Sequence, residues 1–181
     1  MEAATEIQTR DPTALVREHG PFVWRALRRL GVPERDADDQ CQEVFLVVLR
    51  KIDGFEGRSA LRTWIYGICV RVASAYRRRA QHREIASSDV PEGAIEGDQH
   101  EQLAAHQARA MLDRALDQLD DDKRAVFVLF EIEGLAMNDV AEAVGCPLQT
   151  AYSRLHAARE KVSQAMKRAL LPTTPSPRRT P

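Results

Sequence analysis

Apolar residues along this chain recur at steps of three and four wherever a period can be read, and no segment shows the period of two expected of a half-buried strand. The clearest stripe follows Pro33 and consists of Ala37, Cys41, Val44, Phe45, Val48 and Leu49. Another runs through Leu61, Trp64, Ile65, Ile68, Cys69, Val72 and Tyr76 and ends at Arg77-Arg78-Arg79. The loop KIDGFEGRS separates these two helices, and Ser59 is the expected cap of the later one. Ahead of them, Asp11-Pro12 forms an N-cap and first-turn pair for a helix carrying Leu15, Val16, Val23, Leu27 and Leu30, which Gly20-Pro21 should kink or break. Three such helices can share a core, with each large side chain contributing ~1.5–3 kcal/mol on burial.

The period then lapses. The stretch SSDVPEGAIEG is rich in Ser, Gly, Pro and acids and reads as a flexible acidic linker. A helix resumes near Gln99 and runs to Leu119, with Leu103, Ala110, Leu112, Leu116 and Leu119 facing inward. Asp120-Asp121-Asp122 suits the positive end of the next helix, which carries Val126, Leu129 and Phe130 and stops at Gly134. A short helix over Met137–Val144, a turn at Gly145-Cys146-Pro147 and a long helix carrying Ala151, Leu155, Ala158, Val162 and Met166 read as a helix-turn-helix. The Pro-rich tail PTTPSPRRTP cannot hold a helix and is expected to be disordered. The fold class is therefore all-α: two small helical domains, at residues 10–84 and 109–171, joined by the linker at 85–108 and followed by the tail at 172–181.

Charge divides along the same lines. The chain of 181 residues has 26 basic and 27 acidic side chains, so it looks neutral as a whole. Residues 58–83, however, hold seven arginines and no acid, residues 84–122 sum to −9, and residues 147–181 sum to +6. Two basic segments flanking an acidic one point to two contacts with a polyanion. In the helix-turn-helix, Gln149, Thr150, Tyr152, Ser153, Arg154, His156 and Arg159 could reach base edges or phosphates if the start of the long helix enters a major groove. In the other basic segment, Arg58, Ser59, Arg62, Arg71, Arg77, Arg78 and Arg79 are the candidates, and Phe55 in the preceding loop is placed to stack on an unpaired base. Trp64 falls on the apolar stripe and reads as core. Asp38, Asp39, Gln42 and Glu43 lie opposite their helix's apolar stripe, as a solvated face or as a docking surface for a protein.

Other classes find no support in the sequence. The histidines do not cluster with Cys or carboxylates at metal spacing, no Gly-rich phosphate loop appears and no nucleophile has a recognisable setting, so no catalytic residue, metal or cofactor is assigned. Cys41, Cys69 and Cys146 are embedded in apolar patterns and read as core residues, not as a disulfide framework. The longest apolar run, Val44–Leu49, falls far short of the ~20 residues that cross a bilayer, and MEAATEIQTRDP lacks the features of a secretory signal. The expected location is the cytoplasm, with no membrane insertion.

The runs DADDQCQEVFLVVLRKIDGF, SALRTWIYGICVRVASAYRRR and LDQLDDDKRAVFVLFEIEGLAMNDVAEAVGCPLQTAYSRLHAAREKV, in this order, resemble the extracytoplasmic-function group of bacterial sigma factors. The resemblance implies two helical domains that bind core RNA polymerase and direct it to promoter DNA, and it favours the docking reading of Asp38, Asp39, Gln42 and Glu43. By the same resemblance the loop Phe55–Ser59 captures a flipped base of the start-proximal element and the Arg-rich helix contacts DNA beside it. Thr150, Tyr152, Ser153, Arg154 and His156 correspond to the helix that reads the upstream element. The acidic linker corresponds to the segment that threads toward the RNA exit path, and an anti-sigma factor is the implied regulator. The chain departs from the family pattern at Arg71, where Asn is usual, at Ala75, where Asp is usual, at Leu119-Asp120 in place of Leu-Pro, and at Tyr152 and Ala157, where basic residues are frequent. The expectation is two modules held in register by polymerase, not by a shared core. The alternative is a helix-turn-helix regulator that binds an operator without polymerase.

Overall fold

The computed structural model describes residues 11–86 and 100–170 and contains seven α-helices in two domains, with no strand among those residues. The central part of the acidic linker and the Pro-rich tail lie outside the described residues.

Helix α1 spans Pro12–Arg29, capped by Asp11, whose carboxylate accepts the Thr13 amide at 3.0 Å. It runs unbroken through Pro21, so of the expected kink or break the break does not occur. Proline removes a donor that would bond the Arg17 carbonyl one turn back, and both residues are exposed, so water can satisfy that carbonyl. Helix α2 spans Glu34–Lys51 and ends in a 3-10 turn at Ile52–Gly54. Helix α3 spans Leu61–Ala86. Its first bond runs from the Trp64 amide to the Ala60 carbonyl, so Ala60 occupies the cap position and Ser59 does not cap this helix. Val23, Leu27, Val44, Val48, Ile65, Tyr66 and Ile68 form the heart of this three-helix unit.

Helix α4 spans His100–Asp117 and α5 spans Asp121–Phe127, continuing into a π-helical turn over Val128–Ile132. Asp120 caps α5 by accepting the Lys123 amide at 2.9 Å, which gives the unusual Leu119-Asp120 pair a structural reason. Helix α6, Met137–Val144, ends at Gly145 in the left-handed region, with φ 67°, and the Cys146 amide closes the turn on the Ala141 carbonyl. Helix α7 then runs from Leu148 to Leu170. Leu116, Val126, Leu129, Val140, Ala151, Leu155 and Ala158 pack inside this unit.

The two units do not stand apart as expected. Helix α3 packs on α6, and the buried apolar residues of both halves form one continuous cluster. The contact is close because Gly67 has no side chain: a Cβ there would stand 3.1 Å from the Ala143 carbonyl oxygen. Gly31, with φ 96°, leaves room of the same kind for Arg124, whose guanidinium carbon would lie 3.0 Å from an added Cβ. Among the cysteines, Cys69 is buried, as expected of a core residue, while Cys41 and Cys146 are half-buried.

Candidate functional site

Helix α2 holds Asp38, Asp39, Gln42 and Glu43 on its exposed side. Asp38 accepts a 3.1 Å hydrogen bond from the indole N–H of Trp24, which ties the acidic face to α1. Beside it lies an apolar groove of about 600 Å³ whose walls include Val16, Trp24, Cys41, Phe45, Leu46 and Leu49. Val16 and Leu46 are 46% and 48% exposed, unusual for such residues in a helical core. This apolar floor is not evident from the acidic residues alone. Its sequence signal is the run VFLVVL, in which consecutive apolar residues exceed what one helical stripe can bury. Burial, then the neighbouring Asp38 carboxylate, push the Cys41 thiol up to about 11, so it stays protonated at neutral pH.

The start-proximal candidates divide into two groups. Phe55 and Trp64 stack with ring centroids 5.3 Å apart, tilted by 47°, and both rings are half-buried. Arg58 is exposed and pairs with Glu56 at 3.1 Å, Arg78 is exposed, and Arg79 donates to the Ala75 carbonyl at 3.3 Å. The others face the C-terminal helices, a placement that helical spacing alone does not reveal. The Ser59 hydroxyl donates to Glu142 at 3.4 Å, and Arg71 lines a small pocket with Glu142 and Ala143. Arg77 pairs with Asp121 at 3.1 Å. Arg62 lies over the Phe22 ring, 4.4 Å from its centroid, and approaches Glu133 to 3.7 Å.

Glu133 is the centre of this contact. Its side chain is only 8% exposed and it also pairs with Arg29. Arg124, equally enclosed, donates 2.7 Å bonds to the Arg29 carbonyl at the end of α1 and to Asp117. Burial lowers the Arg124 pKa, and Asp117 opposes that shift. The Tyr66 side chain is buried beside Glu133 and Arg62, and its pKa is raised by burial first and then by Glu133. Neither Arg124 nor Glu133 stands out in the sequence, because Arg124 closes the charged run that begins at Asp120 and Glu133 follows Glu131 by two residues.

The helix-turn-helix presents a separate surface. Gln149, Tyr152, Ser153, His156 and Arg159 are exposed at the start of α7 and along it, while Thr150 and Arg154 are partly covered. The Ser153 hydroxyl donates to the Gln149 carbonyl at 3.0 Å. Arg154 pairs with Asp122, and Arg159 donates to Glu131 at 2.6 Å while lying 5.7 Å from the Phe130 centroid. Asp117, Asp120, Asp121 and Asp122 thus belong to ordered helix ends with cationic partners. The acidity of segment 84–122 is therefore not confined to the linker.

Comparison with known proteins gives the two units their family. The sigma-70 region 2 family model matches residues 15–83, and the sigma-70 region 4 model matches residues 109–162. The ECF RNA polymerase sigma-E factor of Escherichia coli strain K12 is 34% identical over 144 residues, covering 72% of this chain and 74% of that protein. The chain belongs to the ECF sigma factors. The Haemophilus influenzae sigma-E factor is 32% identical over 142 residues, with coverage of 72% and 75%. Among solved structures, CnrH in complex with the cytosolic domain of CnrY aligns with a TM-score of 0.66 at 25% identity, covering 91% of this chain and 95% of that one. The sigma factor RpoE of Bartonella quintana, in complex with the anti-sigma factor NepR, shares the fold, with a TM-score of 0.68 at 23% identity over 84% of this chain and 94% of that one. The ECF sigma helices carry no span long and apolar enough to cross a membrane among the described residues.

Proposed function

We propose that this ECF sigma factor acts in the cytoplasm by docking on core RNA polymerase through α2 and delivering it to promoter DNA through α3 and α7. It works by binding and positioning, without chemistry of its own. The observation that carries this reading is that α2 and α3 expose opposite charges from one packed unit. Asp38 and Gln42 line an apolar groove and Asp39 and Glu43 are exposed on the same helix, whereas the loop before α3 and the end of α3 present Phe55, Arg58, Arg78 and Arg79. An acidic rim with an apolar floor suits a protein helix, while arginines beside an aromatic loop suit unpaired DNA.

In this reading Phe55 and Ser59 receive a start-proximal base while Arg58, Arg62, Arg71, Arg77, Arg78 and Arg79 hold the backbone around it. Arg71 stands where Asn is usual and is exposed, which favours phosphate contact over selection of one base. Gln149, Thr150, Tyr152, Ser153, Arg154, His156 and Arg159 read the upstream element. CnrH and RpoE were each solved with a partner protein, and a separate anti-sigma factor is proposed to control this chain too. Run-off transcription by core polymerase with and without the protein tests the reading. Promoter-specific transcripts are expected only in its presence. Tight operator binding by the free protein with no stimulation on any promoter would overturn it in favour of a polymerase-independent regulator.

A further inference from the structure

The promoter face assigned to α3 is partly occupied from within. We propose that the C-terminal helices close over that face as an internal mimic of the DNA backbone. Glu133, Glu142 and Asp121 engage Arg62, Ser59 and Arg77, groups that the promoter reading assigns to DNA. The inference rests on the promoter-binding reading of α3.

Three features carry it. The acids come from three places in the C-terminal unit: the turn after the π-helical segment, the outer side of α6 and the start of α5. They meet donors spread along α3 and the residue pair before it, at 3.7 Å for Arg62, 3.4 Å for Ser59 and 3.1 Å for Arg77. An anionic backbone must compete with these carboxylates for the same donors. The contact is also built to close tightly, since Gly67 admits the Ala143 backbone and Gly31 admits Arg124. Finally, Asp39, Gln42 and Glu43 remain exposed in the closed arrangement, so polymerase can engage α2 before the DNA face is free. Closure reduces the apparent DNA affinity of the free protein by the fraction of molecules that are open, and a partner that favours the open form restores it.

The test uses the full chain and the double variant Glu133→Gln/Glu142→Gln, which removes two interface acids without adding a cation. A second double variant, Glu18→Gln/Glu34→Gln, makes the same charge change on exposed positions of the N-terminal unit. The readouts are small-angle X-ray scattering and fluorescence anisotropy with a labelled mixed-sequence single-stranded oligonucleotide. The interface variant is expected to show a larger radius of gyration and at least fivefold tighter oligonucleotide binding than the control variant. Should its circular dichroism show lost helix, Asp121→Asn supplies the same test at a partly exposed position. Unchanged dimensions, or opening without a gain in affinity over the control, would overturn the proposal. Run-off transcription by the wild-type protein is scored alongside. Failure there sinks the sigma reading, whereas normal run-off with no opening sinks only the closure.

Discussion

Gly67 on α3 and Ala143 on α6 meet through their backbones: a Cβ at Gly67 would stand 3.1 Å from the Ala143 carbonyl oxygen and 3.5 Å from its Cα. Glycine inside a helix costs ~0.5–1 kcal/mol relative to alanine. Here that cost coincides with the closest approach between the two units and is offset by what the approach allows, namely the burial of Glu133 and the seating of Arg62 and Arg29 around it.

Gly67→Val should therefore separate or strain this contact. The added methyls meet backbone atoms that cannot rotate away, and overpacking of this sort costs ~1–3 kcal/mol. The expected result is a fall in Tm of about 2–4 °C per kcal/mol for a chain of this size, together with faster amide exchange in α6. Gly67→Ala should lie much closer to wild type, because the gain in helix propensity offsets a contact that is tight by only a few tenths of an ångström. Equal stability for Val and wild type would show that the contact carries no packing energy.

Asp39→Arg isolates the docking face. Asp39 is exposed, whereas Asp38 is tied to Trp24, so reversal at position 39 should leave folding within ~0.5 kcal/mol of wild type. Binding to core polymerase should weaken at least tenfold, or ~1.4 kcal/mol. Titration calorimetry against purified core polymerase, with a thermal melt of each protein, checks both parts, and unchanged affinity would remove the docking assignment.

Much of this architecture is legible from periodicity and caps. The stripes of α2, α3 and α7, the Gly145 turn and the Asp120 start of α5 all rest on interactions within about one turn of chain. What could not be read depends on residues far apart in sequence. Arg124 finds the carbonyl of Arg29, and Glu133 finds Arg29 and Arg62, only after the two units pack. Ser59 illustrates the same limit: its composition suits a cap, yet the helix begins one residue later and its hydroxyl turns to Glu142. The apolar groove escaped for a different reason, since helical periodicity identifies the core stripe and says little about apolar residues left beside it.

Asp120 should give stability a pH dependence. Burial acts to raise its pKa, but the Lys123 side chain and amide outweigh it, and the folded value is lowered. A folded pKa below the unfolded one means that the stabilisation is complete above the unfolded carboxylate value of ~4 and disappears as pH falls through the lower, folded value. Asp120→Ala should cost ~0.5–2 kcal/mol at neutral pH through loss of the cap. The gap between wild type and the Ala variant should hold constant from about pH 6 upward and narrow below about pH 4 toward that of Asp120→Asn. Asp120→Asn keeps a capping oxygen and should fall between them. Thermal melts across this range measure the gap, and a difference that persists unchanged into acid would show that the carboxylate charge plays no part.

Arg154 and Arg78 should fail in different ways. Arg154 sits near the start of α7 and is paired with Asp122 across the helix-turn-helix, so reaching a base means giving up a largely exposed ion pair worth ~0–1 kcal/mol. A bidentate base contact discriminates by ~1–3 kcal/mol, enough to exceed that cost. Arg154→Ala should thus flatten the upstream sequence preference of the holoenzyme while leaving its affinity for altered sequences nearly unchanged. Arg78 is exposed near the C-terminal end of α3, where a phosphate contact asks only for charge. Arg78→Ala should weaken binding evenly across sequences and lower the salt slope by about one. Binding of both holoenzymes to a promoter and to its base-substituted versions, measured over a series of salt concentrations, separates the two patterns. A common loss of preference in both variants would mean that α3 reads bases as well as holding the backbone.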